Sequence, residues 1–199
     1  MGNSSILLKE AKKIIAIGTS TGGPRALQCV LSKLPKEIEA PIFVVQHMPA
    51  GFTKSLANRL NNICAITVKE ATDGEMVRKG IAYIAPGGYH LTVKQIGKEL
   101  RMGLDQSGDR NGHCPSVDTL FESIGGLSGF PTIAVIMTGM GSNGSKGLVA
   151  MKSHSSVISI AESETSSIVF GMPKAAIATN LVDVVEDVEN IAHAIMKYF

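Results

Sequence analysis

Residues 14–25 read IIAIGTSTGGPR, an apolar run that stops at a serine set between glycines and passes straight into a helix-forming segment. Gly18 and Gly22 bracket Ser20 as GxSxG, a spacing used where a chain reverses sharply between strand and helix and holds a serine oxygen clear of its neighbours. Such a turn also aims unpaired backbone N–H groups at whatever the serine would attack. A serine alone is a poor nucleophile at neutral pH. It needs a base within hydrogen-bond reach and a third group to orient that base. Two more loops follow apolar runs in the same way: Gln46-His47-Met48-Pro49 after 42–45, and Thr138 to Gly144 after 133–137. His47 is the candidate base, with His90 and His113 as alternatives, whereas His154 and His193 read as ordinary helix residues. From spacing alone the Ser20 loop has three open readings: a nucleophile, a phosphate cradle at a helix N-terminus, and a turn in which Ser20 caps the helix starting at Pro24. The loop lacks both the GxGxxG fingerprint and the lysine of GxxxxGK[ST].

Elements must carry these loops to one place. Short β-branched runs at 13–17, 42–46, 64–68, 81–85, 133–137, 157–160 and 182–185 predict strands, and 24–33, 52–62, 116–124, 145–153 and 188–197 predict helices. Alternation on this scale predicts a three-layer, doubly wound α/β fold, its mostly parallel sheet covered by helices on both faces. Loops at the carboxyl ends of such strands build the site. Residues 87–104, with Gly87-Gly88 and Gly97, predict an antiparallel hairpin at one edge.

The chain of 199 residues, 44% apolar and 18% charged, suits one domain, expected over 13–199 after a tail or linker remnant at 1–12. A net charge of +2 with interspersed signs marks no nucleic-acid surface and no anionic membrane anchor. Cys29, Cys64 and Cys114 are odd in number and widely spaced, which argues against a disulfide framework or a zinc cluster. With no apolar signal region in 1–13 and no membrane-length apolar run, the expected location is cytoplasmic.

Six ordered blocks then narrow the reading: GTSTGGP at 18–24, QHMPAGFT at 46–53, YIAPGGYH at 83–90, HCPSVDTLF at 113–121, TGMGSNGSKG at 138–147 and FGMPKAA at 170–176. Together they closely resemble the catalytic domain of the CheB family of chemotaxis protein-glutamate methylesterases. The resemblance implies hydrolysis of glutamate methyl esters on the cytoplasmic helices of chemoreceptors, with deamidation of receptor glutamines as a second activity and no metal or cofactor. It implies Ser20 as nucleophile and His47 as general base and later acid, with Thr21 and Met140 shaping the oxyanion site. Arg25, Lys54 and Arg59, on the segments after the first two loops, are candidates to meet acidic receptor side chains.

The sequence departs from the family at three places. Where the pattern is GMGxDG, this chain has Asn143 in place of the aspartate. An aspartate accepts the histidine proton and stabilises the imidazolium, whereas an amide that donates selects the wrong tautomer. The expectation is therefore weakened turnover, restored by Asn143→Asp, unless another acid such as Asp118 orients His47. The competing expectation is a receptor-binding module without catalysis. Cys114 stands where the family often has arginine. Finally, 12 residues before the first strand are too few for a receiver domain, so any phosphorylation control is expected from a separate protein.

Overall fold

The computed structural model describes residues 13–199, and the expected tail at 1–12 lies outside them. Seven strands form one parallel sheet: β1 (Ile14–Thr19), β2 (Ile42–Gln46), β3 (Thr67–Glu70), β4 (Ile81–Ile84), β7 (Thr132–Ile136), β8 (Val157–Glu162) and β9 (Val184–Glu186). Their spatial order is β3-β4-β2-β1-β7-β8-β9, and every pairing is parallel. Every residue of β1, β2 and β7 is buried, as continuous β-branched runs demand when both faces of a sheet are covered.

Alternation divides each central strand between two cores. Ile15, Ile17, Ile42 and Val44 face one, packed by α1 (Gly23–Leu31), α2 (Phe52–Asn61) and α6 (Val188–Met196). Ile14, Ala16, Phe43 and Val45 face the other, packed by α3 (Val117–Gly125), α4 (Ser145–His154) and α5 (Met172–Ile177). In α1 the buried Ala26, Leu27, Val30 and Leu31 form one apolar stripe, and Pro24 sits in the first turn, where its missing N–H has no helical partner to lose.

The remaining strands, β5 (His90–Ile96) and β6 (Glu99–Asp105), are the expected hairpin. They form a separate two-stranded sheet that packs on α3 through Leu91 and Val93. The expected strand at 64–68 begins instead at Thr67, because pairing with β4 starts there, opposite Ile81. Ile66 is buried without belonging to the strand, so an apolar run marked burial rather than pairing. Helix α5 escaped the periodicity argument, since six residues around a proline carry no helical repeat.

The chain leaves β1 toward β2 on one side and returns to β7 on the other. This places the switch in winding direction at β1, where open α/β sheets form their crevice.

Candidate active site

The β1–β2 register ends at Thr19 opposite Gln46, so Ser20 and His47 are the next residues on adjacent parallel strands, whose separation is roughly 4.8 Å. Alternation turns both toward the face where α3 and α4 begin. Backbone bonds hold the loops together: His47 N–H donates to Thr19 O at 3.1 Å, and Ser20 N–H donates to Thr138 O at 3.0 Å, from the loop after β7. On the opposite face Gln46 Nε2 donates to the carbonyls of Ser20 (3.0 Å) and His47 (3.1 Å), while its Oε1 accepts from Thr19 Oγ1 at 2.7 Å. The first and second candidate loops are thus stapled by one side-chain amide.

Both glycines around Ser20 have a physical reason. Gly22 takes a φ of 83°, a left-handed conformation that begins α1. Gly18 is needed for a close approach: a Cβ there would lie 2.4 Å from Val117 Cγ1, at the first turn of α3. GxSxG therefore serves one turn and one helix contact, rather than two halves of the same turn.

His47 is half-buried. Its Nε2 is 3.0 Å from Asn143 Oδ1, and its Nδ1 is buried with no protein partner. The His113 ring stacks on it, centroids 3.9 Å apart and planes within 7°. Burial first, and then the charge repulsion of His113, lower the His47 pKa from 6.5 to about 4, against a smaller raising effect of the Asn143 bond. The imidazole is accordingly neutral at pH 7. One of its nitrogens is then a donor and the other an acceptor.

Asn143 decides which is which. Its Oδ1 accepts from Val117 N–H at 2.7 Å, and its Nδ2 donates to Asp118 Oδ2 at 2.9 Å and to Ser116 Oγ at 3.0 Å. Val117 N–H can only donate, so the atom facing it, and hence facing His47, is the oxygen. This corrects the expectation that the amide donates to the histidine. Facing an oxygen that can only accept, a neutral His47 makes this bond through a protonated Nε2, and its Nδ1 has no protein partner. It also alters the expected gain from Asn143→Asp, because a carboxylate at 143 would stand beside that of Asp118, and two carboxylates at such range resist joint ionisation.

The other candidates distribute plainly. Thr21 and Met140 are exposed at the two loops flanking Ser20, and among the described residues neither backbone N–H is hydrogen-bonded. His113 joins the site as a stacking partner. His90 does not: 2% exposed, it accepts from Ser116 N–H at Nδ1 (3.1 Å) and pairs its Nε2 with Gly108 O (2.7 Å), so it ties the hairpin to the start of α3. His154 and His193 lie in the last turns of α4 and α6. Arg25, Lys54 and Arg59 are exposed, and Cys114 is half-buried beside His113 in sequence. Among the described residues no group of three or more His, Cys, Asp or Glu could hold a metal ion, and no helix is long and apolar enough to cross a membrane.

Sequence reasoning named Asp118 only as an alternative acid to orient His47 directly, and it missed Glu162 altogether. Asp118 reads locally as an acid in the first turn of α3, and nothing nearby in the chain signals that its carboxylate binds Asn143. Glu162, at the end of β8, accepts from Thr138 N–H at 2.7 Å and Ser166 Oγ at 3.0 Å; burial pushes its carboxyl up. Thr138 in turn carries the carbonyl that holds Ser20.

Fold and site together define a doubly wound α/β protein with a serine, a histidine and an amide hydrogen-bonded to that histidine on loops at the carboxyl edge of its sheet. A family model described as CheB methylesterase matches residues 15–195, and the chain belongs to that family. It is 60% identical over 186 residues to the protein-glutamate methylesterase/protein-glutamine glutaminase of Halalkalibacterium halodurans, covering 94% of this chain and 54% of the relative. The protein of the same name from Bacillus subtilis is 52% identical over 184 residues, covering 92% and 52%. The chain thus spans about half the length of the curated relatives it matches. The crystal structure of the Thermotoga maritima CheB methylesterase catalytic domain superposes with a TM-score of 0.91 at 44% identity, covering 95% of this chain and 100% of that one.

Proposed function

We propose that this chain is a serine esterase that removes methyl groups from glutamate side chains of chemoreceptor cytoplasmic domains, and by the same steps deamidates receptor glutamines. The observation that carries the reading is His47: half-buried, its Nε2 on Asn143 Oδ1, its Nδ1 without a protein partner, and one residue past the end of β2 as Ser20 is one residue past the end of the neighbouring β1. The family membership and the names of the relatives supply the substrate class.

In this mechanism Ser20 Oγ attacks the ester carbonyl carbon as its proton passes to His47 Nδ1. The C=O π pair moves onto oxygen, where the N–H groups of Thr21 and Met140 receive the negative charge. Each such donor is worth about 3–4 kcal/mol in a well-studied protease. The imidazolium, with its Nε2–H on Asn143 Oδ1, then gives the Nδ1 proton to the departing methoxide, and methanol leaves. Water activated by the same nitrogen hydrolyses the glutamyl–Ser20 ester, returning the free carboxyl group and the starting serine. A glutamine substrate follows the same course with ammonia as leaving group. No step requires a metal or cofactor, and the setting is the cytoplasmic face where such receptor helices lie.

The test is methanol release from methylated receptor fragments. Ser20→Ala should reduce it by at least about 10³-fold while leaving the unfolding temperature nearly unchanged. Binding of methylated receptor without hydrolysis by the native chain would favour a receptor-binding module instead. Unfolding caused by Ser20→Ala would assign the serine to its turn.

A further inference from the structure

The orientation of Asn143 does not come from His47. Three groups besides the imidazole touch the amide, and one of them, the Ser116 hydroxyl, both donates and accepts and so favours neither orientation. Val117 N–H selects oxygen on one side, and the Asp118 carboxylate selects nitrogen on the other. Turning the amide over would lose both bonds and set donor against donor and acceptor against acceptor.

Asp118 is itself held with little freedom. It is 1% exposed, and its Oδ1 accepts from Gly144 N–H at 2.9 Å and Gly147 N–H at 2.7 Å, the first donors of α4. The carboxylate therefore spans two helix starts. It sits in the first turn of α3, caps α4, and uses its remaining oxygen on the amide that faces the imidazole.

We propose that Asp118 is a positioning residue for hydrolysis: by holding Asn143 Nδ2 it fixes Asn143 Oδ1 on His47, and so keeps the imidazole proton on Nε2 and the Nδ1 lone pair open. The proposal rests on the hydrolase reading above for its effect on rate, but not for its effect on the tautomer. Where the family pattern places an acid next to the histidine, the acid here stands one side chain further from the imidazole, acting through an amide. Asp118 does not touch His47 and takes no proton.

The relay makes a specific prediction about amide orientation. In Asp118→Asn the new side chain must turn its Oδ1 to the Gly144 and Gly147 N–H groups, leaving its Nδ2 toward Asn143. Asn143 then satisfies it only by turning over, which presents Nδ2 to His47 and moves the imidazole proton to Nδ1. The double variant Asp118→Asn with Asn143→Asp remakes every bond, with a carboxylate on Val117 N–H and on His47. Asn143→Asp alone instead leaves two carboxylates facing each other.

Nitrogen NMR of histidine-labelled protein at about pH 7 reads the tautomer without substrate. The native chain should show a protonated Nε2 and a bare Nδ1 at His47, Asp118→Asn the reverse, and the double variant the native pattern. Methanol release should follow in kcat rather than KM: down about 10²- to 10⁴-fold in Asp118→Asn, with KM changed by less than about threefold, and recovered in the double variant. A native His47 protonated on Nδ1, or an Asp118→Asn protein that keeps the native tautomer and rate, would overturn the proposal. Should Asp118→Asn fail to fold, the double variant should exceed Asn143→Asp alone in kcat by at least about tenfold, and equal rates would overturn it. Expected tautomers without methanol release by any variant would uphold Asp118 as positioning residue and refute the hydrolase reading alone.

Discussion

At the residue scale the chemistry turns on the proton affinity of His47. Unfolded, the imidazole takes up a proton near pH 6.5; folded, burial and the stacked His113 delay this to about 4. Between these values the unfolded chain binds the extra proton. The neutral native imidazole therefore contributes stability that is fully present above pH 6.5 and is lost as pH falls toward 4, by up to about 3 kcal/mol. In the proposed mechanism the same protonation removes the base. The acid limb of kcat/KM should accordingly lie near pH 4 and not near 6.5, and His113→Ala should move it upward by removing both a repelling charge and part of the cover. A native profile that already falls about tenfold from pH 6.5 to 5.5 would assign the limb to another group.

At the element scale the site depends on how closely α3 approaches β1. Val117 brings its N–H to Asn143, and it does so across Gly18, where a Cβ would lie 2.4 Å from one Val117 methyl and 2.8 Å from the other. Gly18→Ala should push the start of α3 away, destabilising the fold by about 1–3 kcal/mol as overpacking does. It should also loosen Asn143 and so lower kcat. Because the obstacle is a side chain, Val117→Ala in the same protein should recover part of both losses, although it leaves a cavity of its own where Val117 was fully buried. Thermal unfolding and methanol release on the two single variants and the double variant measure this coupling. Strict additivity would mean that the contact does not position the amide.

At the scale of the whole molecule, segments leaving the carboxyl edge of the sheet carry large exposed apolar side chains: Phe52 after β2 (63% exposed), Met140 after β7 (68%) and Ile168 after β8 (53%). Scattered exposed apolar residues need no explanation, but a set on the edge that carries Ser20 suits the proposed substrate, which is itself a protein surface. The exposed Arg25, Lys54 and Arg59 belong to α1 and α2, the helices that follow the first two loops. Phe52→Ser and Ile168→Ser should raise KM for methylated receptor several-fold while leaving hydrolysis of a small soluble ester, and the unfolding temperature, nearly unchanged. Equal losses on both substrates would place these residues in the catalytic geometry rather than in receptor contact.

The sequence by itself determined the layered architecture, since continuous β-branched runs alternating with amphipathic segments can be satisfied only by a parallel sheet buried on both faces. It also determined the three loops, because a serine, a histidine and a glycine-rich turn each stood directly after such a run. Local pattern located strand ends to within a few residues at β2 and β7 but misplaced β3, whose start is fixed by its partner β4 and not by its own apolar content. Which histidine lies beside Ser20, and which serves the hairpin or stacks, depended on register across β1 and β2 and on the fold of 105–116. Which end of the Asn143 amide faces His47 was beyond any reading of the chain. That choice is made by a backbone N–H and a carboxylate about 25 residues away in sequence, and only tertiary packing of α3 against α4 brings them to the two sides of one side chain.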